Sequence, residues 1–236
     1  MPTSADAVRL RQVAFAWAGK TTFRMAVEDF SVARGERVLL LGESGAGKST
    51  LLSLICGIVV PRSGSIRVDG TELTALSGGA RDRFRAERIG VIFQMFNLLP
   101  YATPLDNILL PLTFAPKRRA QLGDDPAREA LRLTTMLGLP EDLVSRAAAS
   151  DLSVGQQQRV AAARALLGAP PIIVADEPTS SLDASAQEAF LEILFAQTAA
   201  TGVSLLMVSH DQRLAHRFDR QVELGSVATV TREQRA

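Results

Sequence analysis

Apolar and polar positions along this chain follow more than one rhythm, and the changes between them mark out the elements. Residues 8–17 alternate loosely, which predicts a strand. Residues 37–41 (RVLLL) form a short, almost wholly apolar run, the pattern of a buried parallel strand. A glycine-rich stretch, 42–50, follows, then an apolar helix to about Val59, ended by Pro61, Arg62, Ser63 and Gly64. Residues 65–68 read as a strand with a turn signal at Asp69 and Gly70, and residues 88–94 (RIGVIFQ) as another apolar strand.

The rhythm then changes. From Met95 to about Leu167 helix signals dominate, punctuated by Pro100, Pro104, Pro111 and Pro116. Residues 127–137 and 156–167 are rich in Ala, Leu, Arg and Gln, which favour helix. Strands return at 172–175 and 203–209, with a helix between them near 184–198, and residues 230–236 read as a short polar tail. Strand and helix in alternation predict an α/β fold with a mainly parallel sheet. The middle is a helical insertion in it. The expected organisation is one domain over 1–236, with 1–94 and 168–236 as the α/β core and 95–167 as the helical subdomain.

Composition narrows the function classes. Apolar residues make up 47% and charged residues 22%, and the net charge is +1, so no general pull toward nucleic acid or an anionic surface is expected. Lys117, Arg118 and Arg119 read as a solvated loop. The one cysteine, Cys56, excludes an internal disulfide, fits a reducing compartment and reads as a small buried hydrophobe. No run approaches the roughly 20 apolar residues of a spanning helix, and residues 1–11 hold no apolar stretch suited to a signal peptide. A role at a membrane therefore needs another chain.

Candidate chemistry starts with Gly42-Glu43-Ser44-Gly45-Ala46-Gly47-Lys48-Ser49, which fits GxxxxGK[ST] between a strand and a helix; Thr50 follows. Glycines let the backbone curl so that successive N–H groups face phosphate oxygens, and the following helix turns its positive end to the same anion. Lys48 reaches the β- and γ-phosphates of ATP, and the Ser49 hydroxyl is a ligand for Mg²⁺. A second apolar strand, 172–175, ends in Asp176 and Glu177. At the ligand face of a parallel sheet, Asp176 suits Mg²⁺ and Glu177 suits a base for the attacking water.

With these motifs in view, the chain resembles the ATP-binding subunits of ABC transporters. Leu152-Ser153-Val154-Gly155-Gln156 is similar to the LSGGQ signature, Gln94 to the Q-loop glutamine, Pro178 to Asp183 to the D-loop, and His210 to the switch histidine. Trp17 sits where the family carries an aromatic stacked on adenine, with Phe15 and Phe23 as rivals. The resemblance implies a P-loop NTPase core with a small antiparallel β subdomain. It also implies a head-to-tail pair of chains in which Ser153, Gly155 and Gln156 meet the γ-phosphate held by the partner copy. Gln94 would touch Mg²⁺ or the water, His210 the γ-phosphate, and Asp183 the dimer seam. Val154 departs from the signature, where a glycine is usual. A β-branched residue resists positive φ, so ordinary backbone angles are expected there.

The segment Phe93-Gln94-Met95-Phe96-Asn97-Leu98-Leu99-Pro100, with Thr103, Asn107 and Leu110-Pro111-Leu112, resembles the lipoprotein-release and macrolide-export branch. That branch implies a separate FtsX-like membrane permease, a place on the inner face of the cytoplasmic membrane, and export or release of an envelope substrate. A cell-division or envelope-signalling module is the alternative. Residues 96–99 suit either a groove for a partner's helix or the insertion's own core. A soluble relative acting on DNA or ribosomes is disfavoured by the one phosphate loop, one cysteine and near-zero charge.

Overall fold

The computed structural model describes residues 6–17 and 21–234. In chain order the elements are β1 (Asp6–Trp17), β2 (Thr21–Ala33), β3 (Arg37–Leu41), α1 (Lys48–Ile55), β4 (Ser63–Val68), β5 (Thr71–Glu72), α2 (Gly78–Arg88) and β6 (Ile89–Ile92). Then follow α3 (Pro104–Leu109), α4 (Pro116–Gln121), α5 (Pro126–Met136), α6 (Glu141–Arg146), α7 (Val154–Leu166), β7 (Ile172–Asp176) and α8 (Ala184–Thr201). The chain closes with β8 (Ser204–Ser209), β9 (Arg220–Glu223), α9 (Leu224–Val227) and β10 (Ala228–Gln234). They group into two compact units, one built from Met1–Arg85 and Ser204–Ala236, the other from Ala86–Val203.

The first unit holds an antiparallel sheet in the order β10-β2-β1-β4-β5. Its inner face is made by cross-strand apolar pairs. Leu10 faces Phe30, Val13 faces Val27, and Phe15 faces Met25, all buried. Such pairs, each adding up to about 1 kcal/mol, hold the register. The same unit carries three parallel strands with β3 between β8 and β9. Every residue of β8 is buried, as the apolar pattern requires. Two ion pairs fasten this part: Arg37 with Asp219 at 2.6 Å and Arg220 with Glu36 at 2.6 Å.

Two stretches differ from the sequence reading. Residues 230–234 are not a polar tail but most of β10, which lies beside β2 with Val230 opposite Met25. The stretch is too polar to announce itself and becomes a strand by borrowing β2's free edge. Residues 1–5, 235 and 236 lie outside the described residues. The helix after the glycine-rich stretch ends at Ile55, four residues short of Val59.

In the second unit β6 and β7 pair in parallel and α7 lies against β6. The approach is close: a β-carbon at Gly90 would fall 2.3 Å from the Ala165 carbonyl oxygen, so only glycine fits. Val160 and Ala161 to Ala163 are buried, and their small size permits the contact. Several helix starts carry side-chain caps. The Thr103 side chain accepts from Asp106 N–H in a capping box, Asp125 caps α5, and Asp183 caps α8. Phe96 is buried in this unit, while Leu98 and Leu99 are half-buried, so the apolar run 96–99 serves largely as core. The exposed apolar groups beside it are Met95, 81% exposed, and Tyr101, 80% exposed. Among the described residues no helix is long and apolar enough to cross a membrane.

Candidate active site

The candidate residues fall into one set on each unit. In the first unit, parallel pairing puts Leu41 of β3 level with Ser209 of β8 and Glu223 of β9. Gly42 and His210 therefore leave neighbouring strands at the same edge, the carboxyl edge where ligands of parallel sheets bind. The loop from Gly42 curls into α1, whose N-cap is Gly47 with φ 110° and no side-chain cap. The first N–H groups of α1 thus have no side chain competing for them. At φ 110° the backbone demands glycine at 47, and an added β-carbon would also crowd Met25 Cε at 2.8 Å and Phe23 Cζ at 3.1 Å.

Lys48 is 5% exposed, and its ammonium donates to the carbonyls of Gly42 at 2.6 Å and Glu43 at 2.9 Å. This cation is tethered across the loop rather than extended into solvent. The Trp17 ring, 44% exposed, donates its indole N–H to the Thr50 hydroxyl at 3.2 Å and meets Phe15 edge-on at 5.0 Å. Trp17 is therefore joined to the loop's own helix. Phe15 is buried behind it, and Phe23 lies under the Arg232 guanidinium at 5.7 Å, so both rivals are engaged elsewhere. Arg232, which the sequence reading missed, also donates to the Gly45 carbonyl. Its position on β10 gave no motif to find it by. It lines an open cleft of about 530 Å³ with Glu43, Ser44, Gly45 and Ala46.

Asp211, next to His210, has its carboxyl held below the usual range, chiefly by hydrogen bonds from Arg213. It caps the short turn after β8 and is committed there. His216 is bonded through Nδ1 to the Arg213 carbonyl at 2.8 Å, a local structural contact.

In the second unit, Ile92 of β6 pairs with Ala175 of β7. Gln94 and Glu177, each two residues on, therefore emerge at one sheet edge together with Asp176. Gln94 is exposed in a turn just past β6, rather than ending the strand. Glu177 has φ 44°, a left-handed angle that costs a non-glycine residue about 1 kcal/mol or more. The turn that follows is fastened by Thr179, buried and accepting from Gln187 Nε2 at 2.8 Å. Asp183 accepts from Ala186 N–H at 2.8 Å as the cap of α8.

Ser153 is the N-cap of α7 in a complete capping box. Its Oγ accepts from Gln156 N–H at 3.3 Å, and Gln156 Oε1 accepts from Ser153 N–H at 2.9 Å. Each side chain keeps a donor: the Ser153 O–H and the Gln156 amide N–H₂. The N–H groups of Val154 and Gly155 complete a ring of four donors at a positive helix end. Val154 is the first helical residue, with helical and not positive φ, and is 49% exposed; its branched side chain does not distort the helix start.

The comparisons with known proteins agree with one another. Residues 26–180 match the family model for ABC transporter. The lipoprotein-releasing system ATP-binding protein LolD of Anaeromyxobacter dehalogenans is 43% identical over 196 residues, 83% of this chain and 80% of that protein. The protein of the same name from Xanthomonas axonopodis pv. citri is 39% identical over 199 residues, 83% of this chain and 78% of that protein. Among solved structures, a dimeric ATP-binding cassette in a post-hydrolysis state with ADP and Pi superposes with TM-score 0.82 at 34% identity, covering 92% of this chain and 93% of the other.

Proposed function

The chain belongs to the ABC transporter family as an ATP-binding and ATP-hydrolysing subunit, and from that premise we propose that it powers a separate FtsX-like permease that releases or exports lipoprotein or a related envelope substrate. The observation that carries the substrate class is the 43% identity to a lipoprotein-releasing ATPase over four-fifths of that protein. Two copies act as a head-to-tail pair, and the cassette to which the chain is similar is dimeric. The permease holds them at the inner face of the cytoplasmic membrane. Exposed Met95, next to Gln94, and exposed Tyr101, six residues further on, suit contact with the permease.

The residue roles follow from their chemistry. The open N–H groups at the start of α1 receive the β- and γ-phosphates. The Lys48 ammonium, held on two carbonyls, trades those weak acceptors for phosphate oxygens, a stronger charge-assisted bond. Gly42, Glu43, Ser44, Gly45, Ala46 and Gly47 supply the loop, and the Trp17 face receives the adenine. Ser49, Asp176 and Gln94 offer only oxygen donors. No cluster of three or more His, Cys, Asp or Glu exists among the described residues. Such sparse hard donors fit Mg²⁺, which keeps waters and phosphate oxygens in its shell; when bound it supplies charge neutralisation at the phosphates. Glu177 orients water and takes its proton, and His210 steadies the γ-phosphate. Ser153, Gly155 and Gln156 donate to the γ-phosphate of the partner copy, and Asp183 lies at the seam.

Tagging the chain with Glu177→Gln, trapping it with ATP and gently solubilising membranes tests this. Copurification of a permease with few spanning helices and a large extracytoplasmic domain, carrying lipoprotein, is the expected result. A division or signalling partner without cargo would replace the transport reading, and ribosomes or DNA would overturn it.

A further inference from the structure

We propose that Arg164 is a positioning residue that locks the turn after Gln94 to the helix bearing Ser153 and Gln156, so that the two shift as one body. The turn is strained. Phe96 and Asn97 are consecutive non-glycine residues with φ 58° and 50°. The left-handed angle costs Phe96 about 1–2 kcal/mol and Asn97, whose residue type tolerates it, less, so the turn persists only where its surroundings over-determine it. Three things determine it here. Phe96 is buried. The N–H groups of Phe96 and Asn97 bond back to Phe93 and Met95 at 2.9 and 2.6 Å. The carbonyls of both strained residues accept from the two arms of one guanidinium, Arg164 Nη1 at 2.7 Å on Asn97 and Nη2 on Phe96.

Arg164 is itself an anomaly. It is buried, and burial pulls its pKa down to about 10, so it is still charged at neutral pH. No carboxylate among the described residues pairs with it; the carbonyl dipoles of the strained turn take that place. A buried cation without a counter-charge is costly for a purely structural contact.

The rest of α7 extends the lock to Ser153. At its C-terminal end, buried Arg118 caps the helix, with Nε donating to Leu167 O at 2.5 Å and Nη2 to Ala165 O at 2.9 Å. Ala165 also lies hard against Gly90 of β6. Ser153 stands eleven residues before Arg164 on this one helix, about 16 Å away at 1.5 Å per residue, so turn and donors belong to one rigid rod. A displacement of the turn beside exposed Met95 is thereby delivered to the donors at Ser153.

The inference rests on the roles proposed above for Gln94 and Ser153. The test uses the full chain with Glu177→Gln, measuring ATP affinity of the monomer, ATP-driven dimerisation by sedimentation, and melting temperature. Arg164→Met removes the fork, and Arg164→Lys keeps the charge but cannot bridge two carbonyls, so it decides the matter if Arg164→Met misfolds. The expected result for Arg164→Lys is monomer ATP affinity within about twofold of the parent and dimerisation weakened about tenfold, a common size for coupling between sites. Dimerisation equal to the parent's overturns the proposal. So does a joint loss of ATP affinity, dimerisation and melting temperature, which marks a merely structural residue. A parent that stays monomeric with ATP overturns the reading of Ser153 and this inference together.

Discussion

Two helix starts in this protein offer donors to an anion, and they are built in opposite ways. Helix α1 begins at a glycine with no side-chain cap, and Lys48 folds back over the loop onto two carbonyls. Helix α7 begins with a complete capping box. The uncapped start has no side-chain cap of its own, so it gains most from a bound phosphate. The capped start is stable alone, because a Ser cap is worth about 1 kcal/mol, and keeps spare donors for an anion that arrives only with a partner. The difference separates a resident binding site from a conditional one.

Substitutions at each start should break that contrast in different places. Lys48→Ala has the largest effect: ATP binding by the monomer should fall at least about a hundredfold by fluorescence titration, since a charged group that meets two phosphates is lost. Ser153→Ala should leave monomer ATP affinity unchanged while lowering ATPase activity about tenfold, with a loss of about 1 kcal/mol in urea unfolding from the missing cap. Equal damage to monomer binding by both substitutions would erase the contrast. Trp17→Ala sharpens the picture on the first side alone: affinity should weaken several-fold without vanishing, as loss of one stacking face predicts. An unchanged affinity would return the adenine role to Phe23.

The same contrast explains what could be read from the chain. The glycine loop was legible because its chemistry is local: glycines, a lysine and a hydroxyl in one run, between a strand and a helix that pattern alone predicts. Asp176 and Glu177 were legible at the end of an apolar strand for the same reason. β2 and β10 were not, because Thr21–Ala33 and Ala228–Gln234 mix polar and apolar positions and form strands only by pairing with one another and with β1. Phe96 was open between groove and core, since its burial depends on a left-handed turn that no local residue type announces. Arg164 read as an ordinary helix residue and Arg118 as part of a solvated loop, whereas Arg118 is buried in α4. Their importance comes from carbonyls 67 and 49 positions away in the chain.

The central claim is that the two starts from different chains share one ATP. Mixing a Lys48→Ala chain with a Ser153→Ala chain tests it, because the mixed pair holds one site with an intact loop facing an intact cap. The account predicts ATPase activity in the mixture well above that of either chain alone. Activity no greater than the average of the two would contradict a site shared between copies.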